Sequence, residues 1–329
     1  KMKIVEREKV KKGIRLLFLI FFISFIFVFF HSFSKLDIQY FKNIKIFFLF
    51  LLILSSLFYI IFAGLSISFA SFSFNKKVNP SFSIEILLSG YFLASITPFG
   101  SGGLPYQLFL LSRKKLSLGE GTFILYIFAF FKYLFLFSSL VLNLKFLTIN
   151  KNAYIRMIFS YIILLIILMF IILLFLFIFP EEKLKFFPLK FEGNFKKILS
   201  FLFNELFNFK RVFIVFLKNP NYFLLSLLFA FKSFLSLVLI IPLIFFALGV
   251  KIEFFKIFLV SSFIYVLLLF SPSPGGIGYA EIISFFLISK NLESSLIPLI
   301  VFLWRFFSFY IFAFSGAFFI LWRISKWKL

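Results

Sequence analysis

The chain has 329 residues, of which 63% are hydrophobic and only 14% are charged, and its formal net charge is +23. Soluble domains average about half apolar and a quarter charged residues, so this composition excludes a soluble globular protein. It predicts an all-α polytopic membrane protein, because a backbone in lipid must pair its own polar groups. Most basic residues lie in short loops between apolar runs, which indicates contact with anionic lipid rather than with nucleic acid.

Two residue types limit the chemistry available to the chain. It contains no cysteine and a single histidine, which excludes thiol catalysis, disulfides and cysteine-ligated metals. We also find no paired carboxylates and no nucleotide-binding loop, so we predict no catalytic residue, no metal site and no cofactor. The 64 phenylalanines are typical of codon bias in an AT-rich genome, and we do not interpret them as an aromatic ligand cage.

Eight hydrophobic segments follow one another in what we interpret as one integral membrane domain, residues 1–329. A helix needs about 20 apolar residues to cross a bilayer, and six segments are assigned as full spans. They cover residues 14–32, 44–72, 118–142, 154–179, 221–249 and 294–322. The distribution of basic residues places both termini in the cytoplasm, and the N-terminus reads as an uncleaved signal anchor. We expect a multi-pass protein of the bacterial inner membrane.

The other two segments are broken by glycine and proline. The first covers 82–97 and is interrupted by Thr97-Pro98-Phe99-Gly100-Ser101-Gly102-Gly103, and the second covers 254–271 and is interrupted by Ser271-Pro272-Ser273-Pro274-Gly275-Gly276-Ile277-Gly278. Only about nine residues separate the first break from the basic residues at 113–115, too few to cross again. We therefore predict two re-entrant hairpins, the second of which ends near Lys290.

The stretch 181–218 is predicted to be a cytoplasmic amphipathic helix on the inner leaflet rather than a folded domain. Its apolar residues recur at helical spacing while charged and amide residues face elsewhere. These apolar residues are Phe195, Ile198, Leu199, Leu202, Leu206, Phe209 and Phe213. We interpret the helix as an ordinary connector without a function of its own.

An internal repeat relates the two broken segments. A shift of 173 residues superposes Gly102 on Gly275, Gly103 on Gly276, Tyr106 on Tyr279, Glu120 on Glu293 and Lys132 on Arg305. We interpret residues 44–142 as repeat 1, residues 221–322 as repeat 2, and residues 143–220 as the span and amphipathic helix that link them. The predicted topology gives the repeats opposite orientations. Broken segments at matching positions of inverted repeats indicate a transporter site at the repeat interface.

Candidate binding residues lie in and beside the two breaks. Glycines there let the backbone expose N–H groups at the start of the next helix, where anions are attracted. A cation inside the bilayer normally faces a partner or a wet cavity, which points to Lys132, Arg305 and Lys232. Glu281 is the expected counter-ion of Arg305, in a pair that serves structure, ligand binding or both. For Lys232, snorkelling or a minor helix contact is an equal alternative.

These motifs resemble the flippase-like membrane domain that forms the N-terminal half of lysylphosphatidylglycerol synthases and also occurs as stand-alone bacterial proteins. The resemblance extends over nearly the whole chain. It rests on the block Ile96–Gly103 with Gln107, the block Ser271–Glu281, and Trp304-Arg305 followed by Gly316. It implies translocation of a lipid with a large polar head, and it adds Gln107 as a polar contact. The synthases continue into an aminoacyl-transferase domain, whereas this chain ends at Leu329, so we expect it not to aminoacylate lipid.

Our leading hypothesis is therefore a lipid flippase or scramblase acting on an anionic or aminoacylated phospholipid such as a modified phosphatidylglycerol. The predicted substrate-binding residues are Arg305, Lys132, Glu281, Gln107, Tyr106, Tyr279, Gly102, Gly103, Gly275, Gly276 and Lys232. The alternatives are a membrane-embedded transferase with Glu281 or Glu120 as base, and a small-anion carrier. The expected partners are membrane lipids and a separate lipid-modifying enzyme.

Overall fold

The computed structural model describes residues 44–147, 193–288 and 296–325, together with six positions between residues 12 and 26. The predicted span over 154–179 lies outside these residues, as does nearly all of the span over 14–32. The described residues form helices and short connections and include no strand. The expectation of an all-helical protein is therefore confirmed for this part of the chain.

Residues 44–147 of the first half form four α-helices. They are α1 (Ile46–Phe72), α2 (Pro80–Ile96), α3 (Gly103–Ser112) and α4 (Leu118–Leu147). Proline suits the first turn of a helix, where its missing N–H needs no partner, and α2 begins at Pro80. α4 begins with a capping box: the Ser117 N–H donates to Glu120 Oε2 at 3.0 Å, and the Glu120 N–H donates to Ser117 Oγ at 3.2 Å. Glu120 thus lies at a helix N-terminus, as predicted.

The second half repeats this order after one long amphipathic helix. Its helices are α5 (Gly193–Lys218), α6 (Pro220–Val238), α7 (Ile240–Ala247), α8 (Phe254–Leu267), α9 (Tyr279–Ile288), α10 (Ile297–Arg305) and α11 (Ile311–Ser325). α6 leads directly into α7, and a π-helical turn over Phe306–Tyr310 joins α10 to α11. A 3₁₀ turn over Leu268–Phe270 extends α8.

Within the described ranges, four helical stretches are long and apolar enough to cross a membrane. They are Ile46–Phe72, Leu118–Ser139, Pro220–Ala247 and Ile297–Arg323. Each coincides with one of the predicted spans, and the last of them is called the last span below. The remaining apolar helices are shorter and belong to the two broken segments.

Both broken segments contain the predicted interruption. α2 and α3 are joined through a 3₁₀ turn at Pro98–Gly100, and α8 and α9 through a 3₁₀ turn at Pro274–Gly276. α3 folds back along α2, since Gln107 donates to the Ile86 carbonyl at 3.4 Å. At about 1.5 Å per residue, α3 and α9 are each about 15 Å long, roughly half the thickness of the hydrocarbon core. The segments α2–α3 and α8–α9 are called the first and second hairpins below.

α1 and the α6–α7 pair run antiparallel along their whole length. At one end the Lys45 N–H donates to the Ala247 carbonyl at 2.9 Å, and at the other Asn219 Nδ2 donates to the Ser73 carbonyl at 3.1 Å. Serine hydroxyls connect the helices between these ends, as in Ser55 Oγ to the Ser236 carbonyl at 2.6 Å. Two counterpart helices that run in opposite directions are the arrangement expected of inverted repeats.

The turns of the two hairpins show that the predicted register of the repeat was wrong. Phe99 and Gly100 have φ values of 54° and 66°, and Gly275 and Gly276 have φ values of 59° and 74°. The left-handed pairs therefore correspond with a shift of 176 residues rather than 173, so Gly102 and Gly103 are not the counterparts of Gly275 and Gly276. Matching glycine with glycine failed because a phenylalanine adopts the left-handed conformation in the first turn.

The same correction applies to the two cations. α4 begins at Leu118 and the last span at Ile297, so Lys132 lies fourteen residues into its helix and Arg305 eight. At about 1.5 Å per residue these depths are about 21 Å and 12 Å from the helix starts. Lys132 and Arg305 are thus not symmetry-related positions, and their environments differ.

The predicted amphipathic helix is present as α5, but only part of its apolar face is free. The buried ring of Phe123 in α4 contacts three α5 rings, those of Phe209, Phe213 and Phe216. Glu205 Oε2 accepts the Gly119 N–H at 2.6 Å. Nearer its start, Ile198 and Leu202 are exposed. The later half of α5 is therefore part of the helix bundle, and its earlier half keeps the apolar surface that suits a leaflet.

α11 crosses α2 at a very short distance because of Gly316. A Cβ placed on Gly316 would overlap the Leu88 carbonyl oxygen of α2. Small residues at helix crossings let membrane helices approach closely and gain van der Waals contact. The position of the last span against the first hairpin therefore depends on this glycine.

We predict that Gly316→Ala destabilises the purified protein, by about 1–3 kcal/mol, because the added methyl group must push two backbones apart. Ser315→Ala is the matched control, since Ser315 Oγ only donates to the Ile311 carbonyl of its own helix at 2.8 Å. Thermal unfolding in detergent measures the difference. Equal unfolding temperatures for the two alanine variants would contradict a close crossing of α11 and α2 at Gly316.

Candidate functional site

The turn of the second hairpin is shaped by glycine. Gly275 has a φ of 59°, and a Cβ placed on it would lie 2.5 Å from Cζ of Phe309 in the last span. Both the conformation and the contact require the absence of a side chain. The consequence is that the Gly275 carbonyl faces the last span at very short range.

Arg305 occupies the position opposite this turn. Its side chain is buried, with a relative exposure of 2% for the residue, and Nη2 donates to the Gly275 carbonyl at 2.7 Å. Arg305 Nε lies 3.4 Å from Glu281 Oε1, and Glu281 Oε2 accepts the Gly278 N–H at 2.6 Å. The predicted Arg305–Glu281 ion pair is therefore present, and it joins the last span to the second hairpin.

The ion pair does not use all of its hydrogen-bonding capacity. Arg305 Nε and Glu281 Oε1 are buried and, within the described residues, have no hydrogen-bond partner, because their mutual contact lacks hydrogen-bond geometry. The guanidinium carbon lies 4.3 Å from the centroid of the Phe309 ring, a cation–π distance. One donor and one acceptor thus remain unsatisfied in the packed interior beside an aromatic ring.

The backbone N–H groups of the two breaks are less available than predicted. The Gly102 N–H donates to Thr97 Oγ1 at 2.9 Å, and the Gly276 N–H donates to the Ser273 carbonyl at 3.0 Å. The Gly278 N–H is taken by Glu281. Local side chains and turns therefore satisfy three N–H groups that the sequence suggested for anion binding, so these three do not bind an anion in this conformation.

The candidate residues of the first hairpin serve mainly to close it. A Cβ on Gly90 would overlap the Gln107 amide, and one on Gly103 would lie 2.9 Å from the Gly90 carbonyl oxygen. Gln107 therefore packs inside the hairpin rather than toward a central site. Tyr106 is partly buried and stacks near Phe109, with ring centroids 6.0 Å apart. Tyr279 is also partly buried and lies at the start of α9.

A second ion pair connects the last span to the first hairpin. Arg323 donates to both carboxylate oxygens of Glu85, from Nε and from Nη2, the latter at 2.8 Å. Bidentate pairs of this kind are strong and geometrically specific. This pair was not predicted from the sequence, although Glu85 is the sole acidic residue of α2 and a carboxylate in an apolar helix needs a partner.

The two mid-span lysines lie in different surroundings. Lys232 is exposed on the outer surface of the α1–α6 pair, where its Nζ lies 5.7 Å and 5.5 Å from the ring centroids of Phe62 and Phe229. Lys132 lies near the middle of α4 and is partly buried, with Nζ 5.0 Å from the ring centroid of Tyr133. Lys132 therefore remains a candidate for an internal site, whereas Lys232 faces outward.

Tyrosine hydroxyls form a polar centre that the sequence analysis did not identify. The hydroxyls of Tyr59 in α1 and Tyr91 in α2 are hydrogen-bonded to each other. On the other side, Trp304 Nε1 donates to the Tyr265 hydroxyl at 2.7 Å. Tyr91 and Tyr265 lie at similar places in the two hairpins, each eleven residues after the start of its helix. The sequence did contain a sign of this polar centre. The chain has 64 Phe and 12 Tyr, so a tyrosine in the middle of an apolar segment adds a hydroxyl where phenylalanine is the usual residue.

Comparison with known proteins identifies one family. A family model described as the lysylphosphatidylglycerol synthase TM region matches residues 14–316. Comparison with curated proteins and with solved structures gives no significant match. Among the described residues, no group of three or more His, Cys, Asp or Glu side chains is arranged to hold a metal ion.

We predict that breaking the Arg305–Glu281 pair from one side costs more stability than removing it from both. Arg305→Met leaves the partly buried carboxylate of Glu281 without its partner, an effect of up to about 3–5 kcal/mol, whereas the double variant with Glu281→Gln leaves no uncompensated charge. Thermal unfolding of the single and double variants in detergent gives the interaction energy between the two side chains. Lys232→Met is the control, and simple additivity of the two single changes would contradict the pairing.

Proposed function

Since the chain belongs to the lysylphosphatidylglycerol synthase TM region family, we propose that it moves a polar-headed lipid between the leaflets of the bacterial inner membrane, as a flippase or scramblase. The proposed substrate is an anionic phospholipid such as phosphatidylglycerol, or an aminoacylated derivative. The family and the apolar helices make the chain a multi-pass membrane protein. Arg305, Glu85 and many serines are buried inside the helix bundle, where a headgroup would have to pass.

The meeting of the two broken hairpins is the observation that carries this proposal. The Phe99 N–H donates to the Pro272 carbonyl at 3.4 Å, and Gly275 packs against Ser95 of α2. In transporters with inverted repeats, substrate sites lie where discontinuous helices from the two halves meet. The buried Arg305 lies directly beside this junction, which suits a passing phosphate.

The last span would couple the two hairpins during transport. It is tied to the first hairpin by Arg323 and Glu85 and to the second by Arg305 and Glu281. A shift of the last span therefore changes its contacts with both hairpins at once. A headgroup that binds one arrangement better than the other would shift the population between them.

A charged headgroup crosses at lower free energy beside buried cations than through hydrocarbon. An unpaired charge in hydrocarbon is very costly, and buried cations reduce that cost by pairing with the phosphate. For an anionic lipid, an inside-negative potential favours outward movement by about 2.3 kcal/mol per charge per 100 mV. We therefore propose outward movement for an anionic substrate.

We further propose that the chain is not an enzyme, because the carboxylates that could act as bases beside the hairpins and at the start of α4 have other tasks. Glu281 pairs with Arg305, Glu120 belongs to the capping box, and Glu205 accepts the Gly119 N–H. A general base must be free to reach the proton it removes. A separate lipid-modifying enzyme is accordingly the proposed partner if the transported lipid is aminoacylated.

The test is a flip assay in proteoliposomes with fluorescent phosphatidylglycerol and a fluorescent aminoacylated phosphatidylglycerol. A membrane-impermeant reductant measures the fraction of label in the outer leaflet over time, with and without a potential. Wild type should redistribute at least one of these lipids. Arg305→Gln should reduce the initial rate at least tenfold, because it removes the charge beside the junction of the hairpins and raises the barrier by at least about 1.4 kcal/mol.

Lys232→Met is the control for this assay, since it also removes a mid-span positive charge but from the outer surface. Its rate should equal that of wild type. Unchanged leaflet distributions with wild type, for every lipid and potential, would refute the transport proposal. Uptake of radiolabelled phosphate without lipid movement would identify a small-anion carrier, and a new lipid species in the mass spectrum would identify a transferase.

A further inference from the structure

Lys132 has an unusual electrostatic position for a residue inside a membrane helix. It lies near the middle of α4 and keeps part of its surface accessible, and its Nζ is not one of the fully buried polar atoms that lack a hydrogen-bond partner. Its neighbours are rings, with Nζ 5.9 Å from the centroid of Phe128 and 5.0 Å from that of Tyr133. The ammonium group therefore remains accessible beside an aromatic surface rather than fully enclosed by packed protein.

No carboxylate neutralises this ammonium group in the described part of the chain, where it makes neither an ion pair nor a hydrogen bond. Arg305 differs, because Glu281 and the Gly275 carbonyl already compensate its charge. A lysine at this depth costs roughly 2.5–3.5 kcal/mol on insertion scales unless something offsets it. Lys132 is thus the cation for which an anionic ligand would bring the larger gain.

Hydroxyl groups accompany this ammonium group. Tyr133 is the residue next to Lys132, and Tyr59 of α1 lies close enough to feel the Lys132 charge. Tyr59 and Tyr91 share one hydrogen bond, and since each hydroxyl carries a proton, one proton of the pair stays free to donate. The Tyr133 hydroxyl makes no hydrogen bond within the described residues and is not fully buried. The surroundings of the ammonium group therefore offer hydroxyl donors and, among the described residues, no competing carboxylate.

A ligand that matches donors alone must present several acceptors and a negative charge. A phosphodiester oxygen pair meets both conditions, whereas a neutral sugar or an amine does not. We propose that Lys132, with the hydroxyls of Tyr59, Tyr91 and Tyr133, forms an anion site for the phosphate of the transported lipid. This inference rests on the proposed function and assigns the phosphate to Lys132 rather than to the N–H groups of the hairpin turns.

The site would be separate from the Arg305–Glu281 pair. Tyr91 lies between the two, because its ring contacts Tyr59 on one side and Phe309 of the last span on the other, at centroid distances of 6.4 Å and 6.2 Å. Phe309 in turn stacks on the Arg305 guanidinium. A headgroup at Lys132 would therefore be sensed at the second hairpin through directly contacting rings.

The test measures equilibrium binding to the purified full chain in a neutral detergent. The probes are radiolabelled dihexanoylphosphatidylglycerol, inorganic phosphate, and dihexanoylglycerol, which lacks the phosphate. Wild type and Lys232→Met should bind the anionic lipid alike. Lys132→Met should weaken binding by about ten- to a hundredfold, the loss expected for a charge-assisted contact. Binding of inorganic phosphate at similar strength would identify the free anion, rather than a lipid, as the ligand.

Tyr133→Phe provides a second variant that removes only a hydroxyl and should leave folding unchanged. It should weaken binding of the anionic lipid by about three- to tenfold, with no effect on dihexanoylglycerol. Equal affinities for wild type, Lys132→Met and Tyr133→Phe would overturn the site. If those proteins bind alike and wild type still moves lipid in proteoliposomes, the transport proposal stands and this inference alone fails. If binding depends on Lys132 but no lipid moves, the site stands and the transport proposal fails.

Discussion

The charge of Arg305 inside the last span is the constraint on which the second half of the protein depends. A guanidinium at this depth needs an acceptor, and the Gly275 carbonyl supplies it at 2.7 Å. That carbonyl faces Arg305 because the turn adopts a left-handed conformation, and the turn fits because Gly275 leaves room for Phe309. Glu281 completes the arrangement, since it caps α9 and balances the charge at the same time.

The hairpins and the α1–α6 pair are held by different kinds of interaction. α1 and α6 are linked by serine hydroxyls that donate to carbonyl groups across the interface, such as Ser55 to Ser236 and Ser66 to Ser226. Such bonds are each worth about 0.6 kcal/mol in membrane proteins, but they recur along the whole contact. The hairpins instead meet the last span through a few charged contacts and one glycine crossing. The first arrangement suits a fixed frame and the second suits parts that change partners.

Much of this arrangement could be predicted from the sequence, because its signals are local. Apolar runs indicate the helices, and glycine and proline indicate the two breaks. Glu281 follows Ser273 of the second break by eight residues, so it lies within reach of Arg305 once the hairpin forms. The register of the repeat could not be predicted, since residue identity does not reveal that Phe99 is left-handed. The Glu85–Arg323 pair joins residues 238 positions apart, and the tyrosine pair depends on helix rotation. Both follow from tertiary packing, which a single sequence does not display.

Phe99 gives the molecule a built-in asymmetry. It is a solvent-accessible phenylalanine, 76% exposed, in a conformation that costs an L-residue about 1–2 kcal/mol and costs glycine almost nothing. Both hairpin turns adopt the left-handed conformation, but only the first carries this cost, because Gly275 stands at the corresponding place in the second turn. A movement that takes Phe99 out of the left-handed region would release the cost, whereas the same movement at Gly275 would gain almost nothing. The turn of the first hairpin is therefore the one that is easier to rearrange.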